Sequence, residues 1–301
     1  MSRHTPLLPW SRRNFIKLSA LAAGTLAFGQ RRGAASTTGN PPLFTAMGIA
    51  APLASAAELK EAGAQFLTEG VGSFLVPDKG EAEFALNLER LAASPLPVLA
   101  CNGFIRPAHL RCVGAEANHD QVLDWADICF KRLHRAGGSL IVFGSGGSRE
   151  LRDGWPKDKA DEQFVALLKR MGPLAEAQGI VVVVEQLQAR ECNYINHLSE
   201  AAAVIRATGH PNVRLLADFY HMACMGDTPS DLAGAMDVVA HVEIAEKEGR
   251  TVPGVQGEDF RPFLRVLREH RYKGAISIEG KFEPSQVSGA FKEIRRQALE
   301  V

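Results

Sequence analysis

The chain has 301 residues, of which 46% are hydrophobic and 23% are charged, the proportions of an ordinary globular protein. Lysine plus arginine and aspartate plus glutamate number 34 each, so the formal net charge is zero. Without a net positive charge, the chain lacks the long-range attraction on which duplex binding depends, so the composition argues against nucleic acid as a partner.

The first 35 residues have the layout of an export signal. Arg12 and Arg13 precede the weakly apolar run LSALAAGTLAFG, and small residues ending at Ala35 follow it. The run is too short to span a bilayer, so we expect no stable membrane anchor. This order of features predicts a twin-arginine signal peptide at residues 1–35 and a short segment at 36–43. On this interpretation the twin-arginine translocase exports the protein, for example to the periplasm.

The cysteines do not form a recognisable framework. They are odd in number and show no CxxC spacing, so we predict neither a disulfide scaffold nor a zinc-thiolate site. They are Cys101, Cys112, Cys129, Cys192 and Cys224.

From residue 44 onward, short apolar runs alternate with longer amphipathic stretches. Helical patterns over residues 120–138, 161–179 and 259–274 begin near Asp and end on Gly, as helix capping chemistry predicts. The apolar runs are FTAMGIA (44–50), AQFLTE (64–69), PVLAC (97–101), SLIVFG (139–144), IVVVVE (180–185), VRLLAD (213–218), VVAHVEI (238–244) and AISIE (275–279).

Eight strands separated by helices, and apolar enough to be covered on both faces, indicate a parallel sheet. About 265 residues remain after the signal peptide, which fits a (β/α)8 TIM barrel of about 250 residues. An open doubly wound sheet is the structural alternative, but the first strand is not followed by a GxGxxG turn. We therefore predict an α/β protein with a single TIM-barrel domain at residues 44–301.

Four consecutive predicted strands carry an acid at or near their end: Glu185, Asp218, Glu243 and Glu279. In a barrel, the carboxyl ends of the strands meet at one rim, where active sites are built. Carboxylates that converge in a low-dielectric pocket repel one another by several kcal/mol unless a cation is present. Oxygen ligands favour Mg²⁺ or Mn²⁺, with Co²⁺ possible. The alternative is that each acid caps a neighbouring helix or pairs with a loop arginine.

Four segments carry a resemblance to a known superfamily. In chain order they are VVVVEQLQARECN, LLADFYHM, HVEIAEKEGRTVPG and ISIEGKF. They resemble the metal-site strands of the xylose isomerase-like TIM-barrel superfamily, the sugar phosphate isomerase/epimerase group. Its members include D-tagatose 3-epimerase and hydroxypyruvate isomerase. The resemblance runs from about residue 44 to the C-terminus.

The resemblance implies that the four strand-end acids bind one divalent metal ion. It also implies that Glu185 and Glu279 are the acid/base residues. At Glu243 the sequence departs from the family, whose epimerases usually have His there and whose hydroxypyruvate isomerases have Gln. His241 lies on the same strand face, one layer deeper, because side chains alternate along a strand. The ligand from strand 7 is therefore either Glu243 or His241.

The resemblance also implies three substrate-binding residues. His221 matches the histidine of a D-x-x-H motif that begins at Asp218, and Glu191 matches a glutamate six residues beyond Glu185. Arg250 matches an arginine that binds substrate oxygens, although the loop that carries it is slightly longer than in the epimerases.

These residues predict a metal-dependent isomerase or epimerase of a sugar or small hydroxy-carbonyl compound. The reaction would be carboxylate-mediated proton transfer next to a metal-bound carbonyl. A metal-dependent lyase or hydrolase of keto-glycosides would need the same acids, because removal of the same proton can expel a glycosidic oxygen. A non-catalytic periplasmic sugar-binding barrel is a further alternative. Related barrels often pair, so a homo-oligomer is possible.

Overall fold

The computed structural model describes residues 41–301. The predicted twin-arginine signal peptide at residues 1–35 lies outside these described residues, and so does most of the segment 36–43. Within the described part of the chain, no helix is both long enough and apolar enough to cross a membrane.

Eight parallel strands close into a barrel in which each strand pairs with its neighbours in sequence and the last pairs with the first. This architecture confirms the predicted (β/α)8 TIM barrel, and every predicted apolar run overlaps one of the strands. The strands are β1 (Met47–Ala50), β2 (Phe66–Gly70), β3 (Val98–Asn102), β4 (Leu140–Phe143), β5 (Val181–Glu185), β6 (Val213–Asp218), β7 (Val239–Ile244) and β8 (Ile276–Ile278).

The helices surround the barrel, and a 3-10 turn (Leu53–Ser55) and a π turn (Val71–Leu75) follow the first two strands. The helices are α1 (Ala56–Ala62), α2 (Glu81–Ala92), α3 (His119–Ala136), α4 (Gly146–Arg149), α5 (Lys157–Ala177), α6 (Leu198–Thr208), α7 (Phe219–Met225), α8 (Pro229–Ala235), α9 (Arg261–Glu269) and α10 (Pro284–Leu299).

The strands are apolar on both faces because each face packs against a different layer. On β5, Val182 and Val184 belong to the large core between the barrel and the helices. Val183 points the other way and packs with Val142 and Leu216 in a second, smaller cluster. Glu185 shares the face of Val183, so alternation directs its carboxylate towards the barrel axis.

One predicted helix is shorter than its sequence pattern suggested. The pattern ran to Gly274, but α9 ends at Glu269. Arg271 adopts a left-handed conformation with φ of 54°, and the N–H of Tyr272 donates to the carbonyl of Leu267 at 2.8 Å. The chain therefore leaves the helix at Arg271. The sequence pattern did not predict this end, because the spacing of apolar residues does not reveal a positive φ at a non-glycine residue.

Candidate active site

The four strand-end acids converge at one rim of the barrel. Asp218 pairs in register with Glu243, and Glu243 with Ser277, two residues before Glu279. One carboxylate oxygen from each of the four acids lies within 4.8 Å of one from every other. Glu185, Asp218 and Glu243 are buried, whereas the side chain of Glu279 is 21% exposed. The predicted cluster therefore exists as a single group of carboxylates.

Several oxygens of this cluster have no hydrogen-bond partner among the described residues. They are Oε1 of Glu185, Oδ2 of Asp218 and both carboxylate oxygens of Glu243. Buried polar atoms are almost always paired, and an unpaired buried carboxylate is especially unfavourable. Three buried carboxylates with unpaired oxygens, grouped with a fourth within 4.8 Å, fit the ligand set of a divalent cation.

The acids also show the electrostatic effect of crowding. Burial raises the pKa of Glu185 above its ordinary value, although the nearby His221 opposes the rise. Burial, together with the charges of the other acids, raises the pKa of Glu243 well above its ordinary value. Burial and the charge of Glu185 raise the pKa of Glu279 to about 7. The cluster therefore resists full ionisation unless a positive charge lies among the carboxylates.

His241 is separate from this cluster. Its ring is fully buried, and neither ring nitrogen has a hydrogen-bond partner within residues 41–301. Burial lowers its pKa to about 4, so the ring is neutral at ordinary pH. Glu243 is the strand β7 residue that joins the other three acids, because its register opposite Asp218 places it at the rim.

His221 lies beside the carboxylates and is oriented by the backbone. It is buried, with Nε2 3.4 Å from Glu185 Oε1 and 3.6 Å from Asp218 Oδ2. The N–H of Gln188 donates to Nδ1 at 3.1 Å, which requires a lone pair on that nitrogen. Nε2, the nitrogen that faces the acids, is therefore the one that carries a proton.

Arg250 reaches the cluster from the loop between β7 and α9. Its guanidinium donates to Oε2 of Glu279 and, through Nη1, to Oε1 of Glu191 at 3.3 Å. Nη2 also lies 3.9 Å from Asp218 Oδ2. The side chain of Asn102 donates to the other oxygen of Glu279 at 2.8 Å. The extra length of the loop does not keep Arg250 away from the site.

Three further residues shape the site, and sequence analysis missed them. The ring of Tyr220 lies under the Arg250 guanidinium, 4.5 Å from ring centroid to Cζ. Arg149 is fully buried and donates to the backbone carbonyls of Glu185 and Gly144. Asn102 lies at the end of β3, where a polar residue after an apolar run was the available signal.

An open cavity of about 420 Å³ lies above the acids. All three predicted substrate-binding residues line it, together with Glu185 and Glu279. The cavity is also lined by Asn102 at the end of β3, by Gly103 and Arg106 in the loop that follows, and by Gly144–Gly146 after β4. This volume lies in the range of small-molecule sites, which is about 300–1,000 Å³.

Comparisons with known proteins agree with this architecture. The family description "Xylose isomerase-like TIM barrel" matches residues 56–298. A solved structure of apo 3-keto-D-glucoside 4-epimerase from E. coli aligns with a TM-score of 0.68 and 23% sequence identity. That alignment covers 83% of this chain and 98% of the E. coli chain. At this level of identity the likeness shows the fold alone.

Two curated relatives are similar over part of the chain. A Mus musculus protein, named provisionally as a hydroxypyruvate isomerase, is 26% identical over 138 residues, which is 44% of this chain and 50% of the relative. Inosose isomerase from Halalkalibacterium halodurans is 27% identical over 135 residues, which is 41% of this chain and 47% of the relative. The matched region therefore spans about half the length of these relatives.

Proposed function

Because this chain belongs to the xylose isomerase-like TIM barrel family, we propose that it is a divalent-metal-dependent isomerase or epimerase. Its substrate would be a sugar or a small hydroxy-carbonyl compound. The observation that carries the proposal is the cluster of four carboxylates, three of which have unpaired buried oxygens, beside an open cavity that Glu185 and Glu279 line. The isomerase named among the relatives supports this class of reaction.

Glu185, Asp218, Glu243 and Glu279 would hold the metal ion. Their oxygen atoms favour Mn²⁺ or Mg²⁺, with Co²⁺ possible. When bound, such an ion polarises a substrate carbonyl and makes the neighbouring C–H acidic.

Glu185 and Glu279 would transfer the proton. They come from β5 and β8, which lie three strands apart around the barrel, and both line the cavity. They can therefore approach a bound molecule from different sides. One carboxylate removes the proton and the other returns one. Return to the adjacent carbon gives isomerisation, and return to the opposite face of the same carbon gives epimerisation.

His221, Glu191 and Arg250 would bind and orient the substrate. His221 presents a protonated Nε2, which can donate to a substrate oxygen. Arg250 keeps further donors beside the acids, and Glu191 can accept from a hydroxyl group. A substrate held by several such groups reacts in a defined orientation, and this orientation lowers the activation free energy by several kcal/mol.

Isotope exchange in D₂O tests this proposal. Metal-depleted protein is reconstituted with Mn²⁺ and offered a panel of ketoses, hydroxypyruvate and 3-keto-glucosides, and deuterium is followed by NMR. We expect deuterium at the carbon next to the carbonyl only when Mn²⁺ is present. Glu185→Gln and Glu279→Gln should each slow the exchange by about 10²- to 10⁴-fold, the usual contribution of an acid/base group.

Two results would contradict the proposal. Release of an aglycone from a keto-glycoside, without formation of an isomer or epimer, would identify a lyase or hydrolase. Binding of Mn²⁺ and sugar without exchange from any compound would identify a sugar-binding barrel.

A further inference from the structure

Glu246 is a buried carboxylate at the start of the loop between β7 and α9, outside the cluster of four acids. It is fully buried, and no Lys, Arg or His of residues 41–301 forms an ion pair with it. Its oxygens instead accept five hydrogen bonds, all from its own loop. The donors are Oγ1 of Thr251 (2.8 Å) and the backbone N–H groups of Gly254 (2.8 Å), Gln256 (2.6 Å), Gly257 (2.9 Å) and Glu258 (3.2 Å).

The loop is folded around this carboxylate. Gly254 and Gly257 adopt left-handed conformations, with φ of 96° and 78°, which side chains rarely tolerate. Successive N–H groups in such turns point towards one centre and form a site for an anion. Burying a carboxylate raises the free energy of the folded state unless hydrogen bonds replace its contacts with water. Here all the donors of those hydrogen bonds belong to one segment, residues 251–258.

The same residue fixes the backbone that carries Arg250. Its carboxylate accepts a hydrogen bond from Oγ1 of Thr251, the residue that follows Arg250, at 2.8 Å. The N–H of Glu246 donates to the carbonyl of Thr251 at 2.8 Å. Thr251 forms a parallel β-bridge with Lys281, and the N–H of Lys281 donates to the carbonyl of Arg250 at 2.7 Å. Arg250 itself has φ of 53°, a conformation that a non-glycine residue keeps only when its surroundings impose it.

We infer that Glu246 is a positioning residue that holds Arg250 over the cavity without touching the substrate. The guanidinium reaches Glu279 and Glu191 from a backbone that Lys281 contacts directly and that Glu246 contacts through Thr251. The consequence for substrate binding rests on the proposed function, whereas the effect on Arg250 does not.

Glu246→Gln tests the inference, because it keeps the size of the side chain but replaces one acceptor oxygen by an NH₂ group that faces other donors. Glu248→Gln is the matched control, since Glu248 lies in the same loop, is exposed, and loses the same charge. Three quantities are compared: amide hydrogen exchange over residues 247–258, the rate at which phenylglyoxal modifies Arg250, and Mn²⁺ affinity.

In Glu246→Gln we expect amide exchange in the loop and modification of Arg250 to accelerate at least about tenfold, since hydrogen bonds to a charged acceptor are lost. Mn²⁺ affinity should stay within about twofold, because the four strand-end acids are unchanged. Glu248→Gln should behave like the unsubstituted protein throughout. In the isotope-exchange assay, Glu246→Gln should raise KM, and the effect should largely disappear in an Arg250→Ala background, because the two residues act together.

Faster loop exchange without faster modification of Arg250 would overturn the inference, because Glu246 would then only stabilise the loop. If Glu246→Gln does not fold, Thr251→Val removes one of the five donors and should change the same quantities in the same direction by a smaller factor. A protein that shows no isotope exchange would refute the proposed function, and the modification rate of Arg250 would still decide the role of Glu246.

Discussion

Glu243 sets the charge of the candidate metal site. With Glu185, Asp218 and Glu279 it makes a donor set of four carboxylates, whose combined charge exceeds that of a divalent ion. The excess negative charge is consistent with the raised pKa of Glu243, and it favours hard cations that bind oxygen. His241, one layer deeper on the same strand, is neutral and apart from the acids.

Two substitutions test which of these two residues of β7 binds the metal ion. Glu243→Gln should lower Mn²⁺ affinity by at least about tenfold, since a unit charge 4 Å from another is worth about 4 kcal/mol at an effective dielectric constant of 20. His241→Asn should leave the affinity within about twofold. Isothermal titration calorimetry on metal-depleted protein measures both. The opposite ranking would make His241 the ligand.

The turn between β4 and α4 shapes the wall of the site beside Glu185. Arg149 ties the end of β4 to the end of β5 by donating to the carbonyls of Gly144 and Glu185. A Cβ atom at Gly144 would collide with Oε2 of Glu185, whereas one at Gly147 would meet no atom within 4 Å. The absence of a side chain at Gly144 therefore leaves room for the carboxylate.

Alanine at these two glycines provides a matched comparison. Gly144→Ala should displace the carboxylate of Glu185 and weaken Mn²⁺ binding at least about tenfold, with a stability cost of about 1–3 kcal/mol for overpacking. Gly147→Ala adds the same methyl group three residues further on, in α4, and should leave Mn²⁺ affinity within about twofold. Titration calorimetry and thermal unfolding check both variants. Equal Mn²⁺ affinities would show that Glu185 does not need this space.

The buried acids connect the stability of the whole barrel to pH and to the cation. The pKa of Glu279 is about 7 in the folded protein and 4.5 ordinarily, and the pKa values of Glu185 and Glu243 are raised in the same direction. The folded state therefore holds these protons more tightly than the unfolded state does. The contribution of Glu279 to stability is fully present below about pH 4.5 and is lost as the pH rises through about 7.

The Tm of metal-depleted protein should consequently fall between pH 5 and pH 8. Mn²⁺ at a hundredfold excess over its Kd should add about 2.7 kcal/mol, or roughly 5–10 °C in Tm for a domain of this size. At one fixed Mn²⁺ concentration the gain should be larger at pH 8 than at pH 5, because carboxylates bind a metal in their deprotonated form. Differential scanning calorimetry, with NaCl at matched ionic strength as the control, measures these shifts. An unchanged Tm on addition of Mn²⁺ at both pH values would contradict the binding of Mn²⁺ by these acids.

Sequence reasoning located the acids because the ends of parallel strands meet at one rim whatever the details of packing. It could not choose between His241 and Glu243, because the alternation of side chains shows only that both lie on the same face of β7. The register with β6 shows which of the two lies level with Asp218 at the rim. Arg149 and Glu246 escaped notice because their partners are backbone carbonyls and amides, which every residue carries. Tyr220 contacts Arg250 through the face of its ring, and no sequence spacing signals that contact.

Anomalous X-ray diffraction from crystals of the Mn²⁺-loaded protein is the most direct test of the carboxylate cluster as a metal site. We predict one anomalous peak among Glu185, Asp218, Glu243 and Glu279, with an oxygen of each at about 2.0–2.5 Å, the range of oxygen bonds to divalent cations. A peak elsewhere on the protein, or no peak among these four side chains in Mn²⁺-saturated crystals, would contradict it.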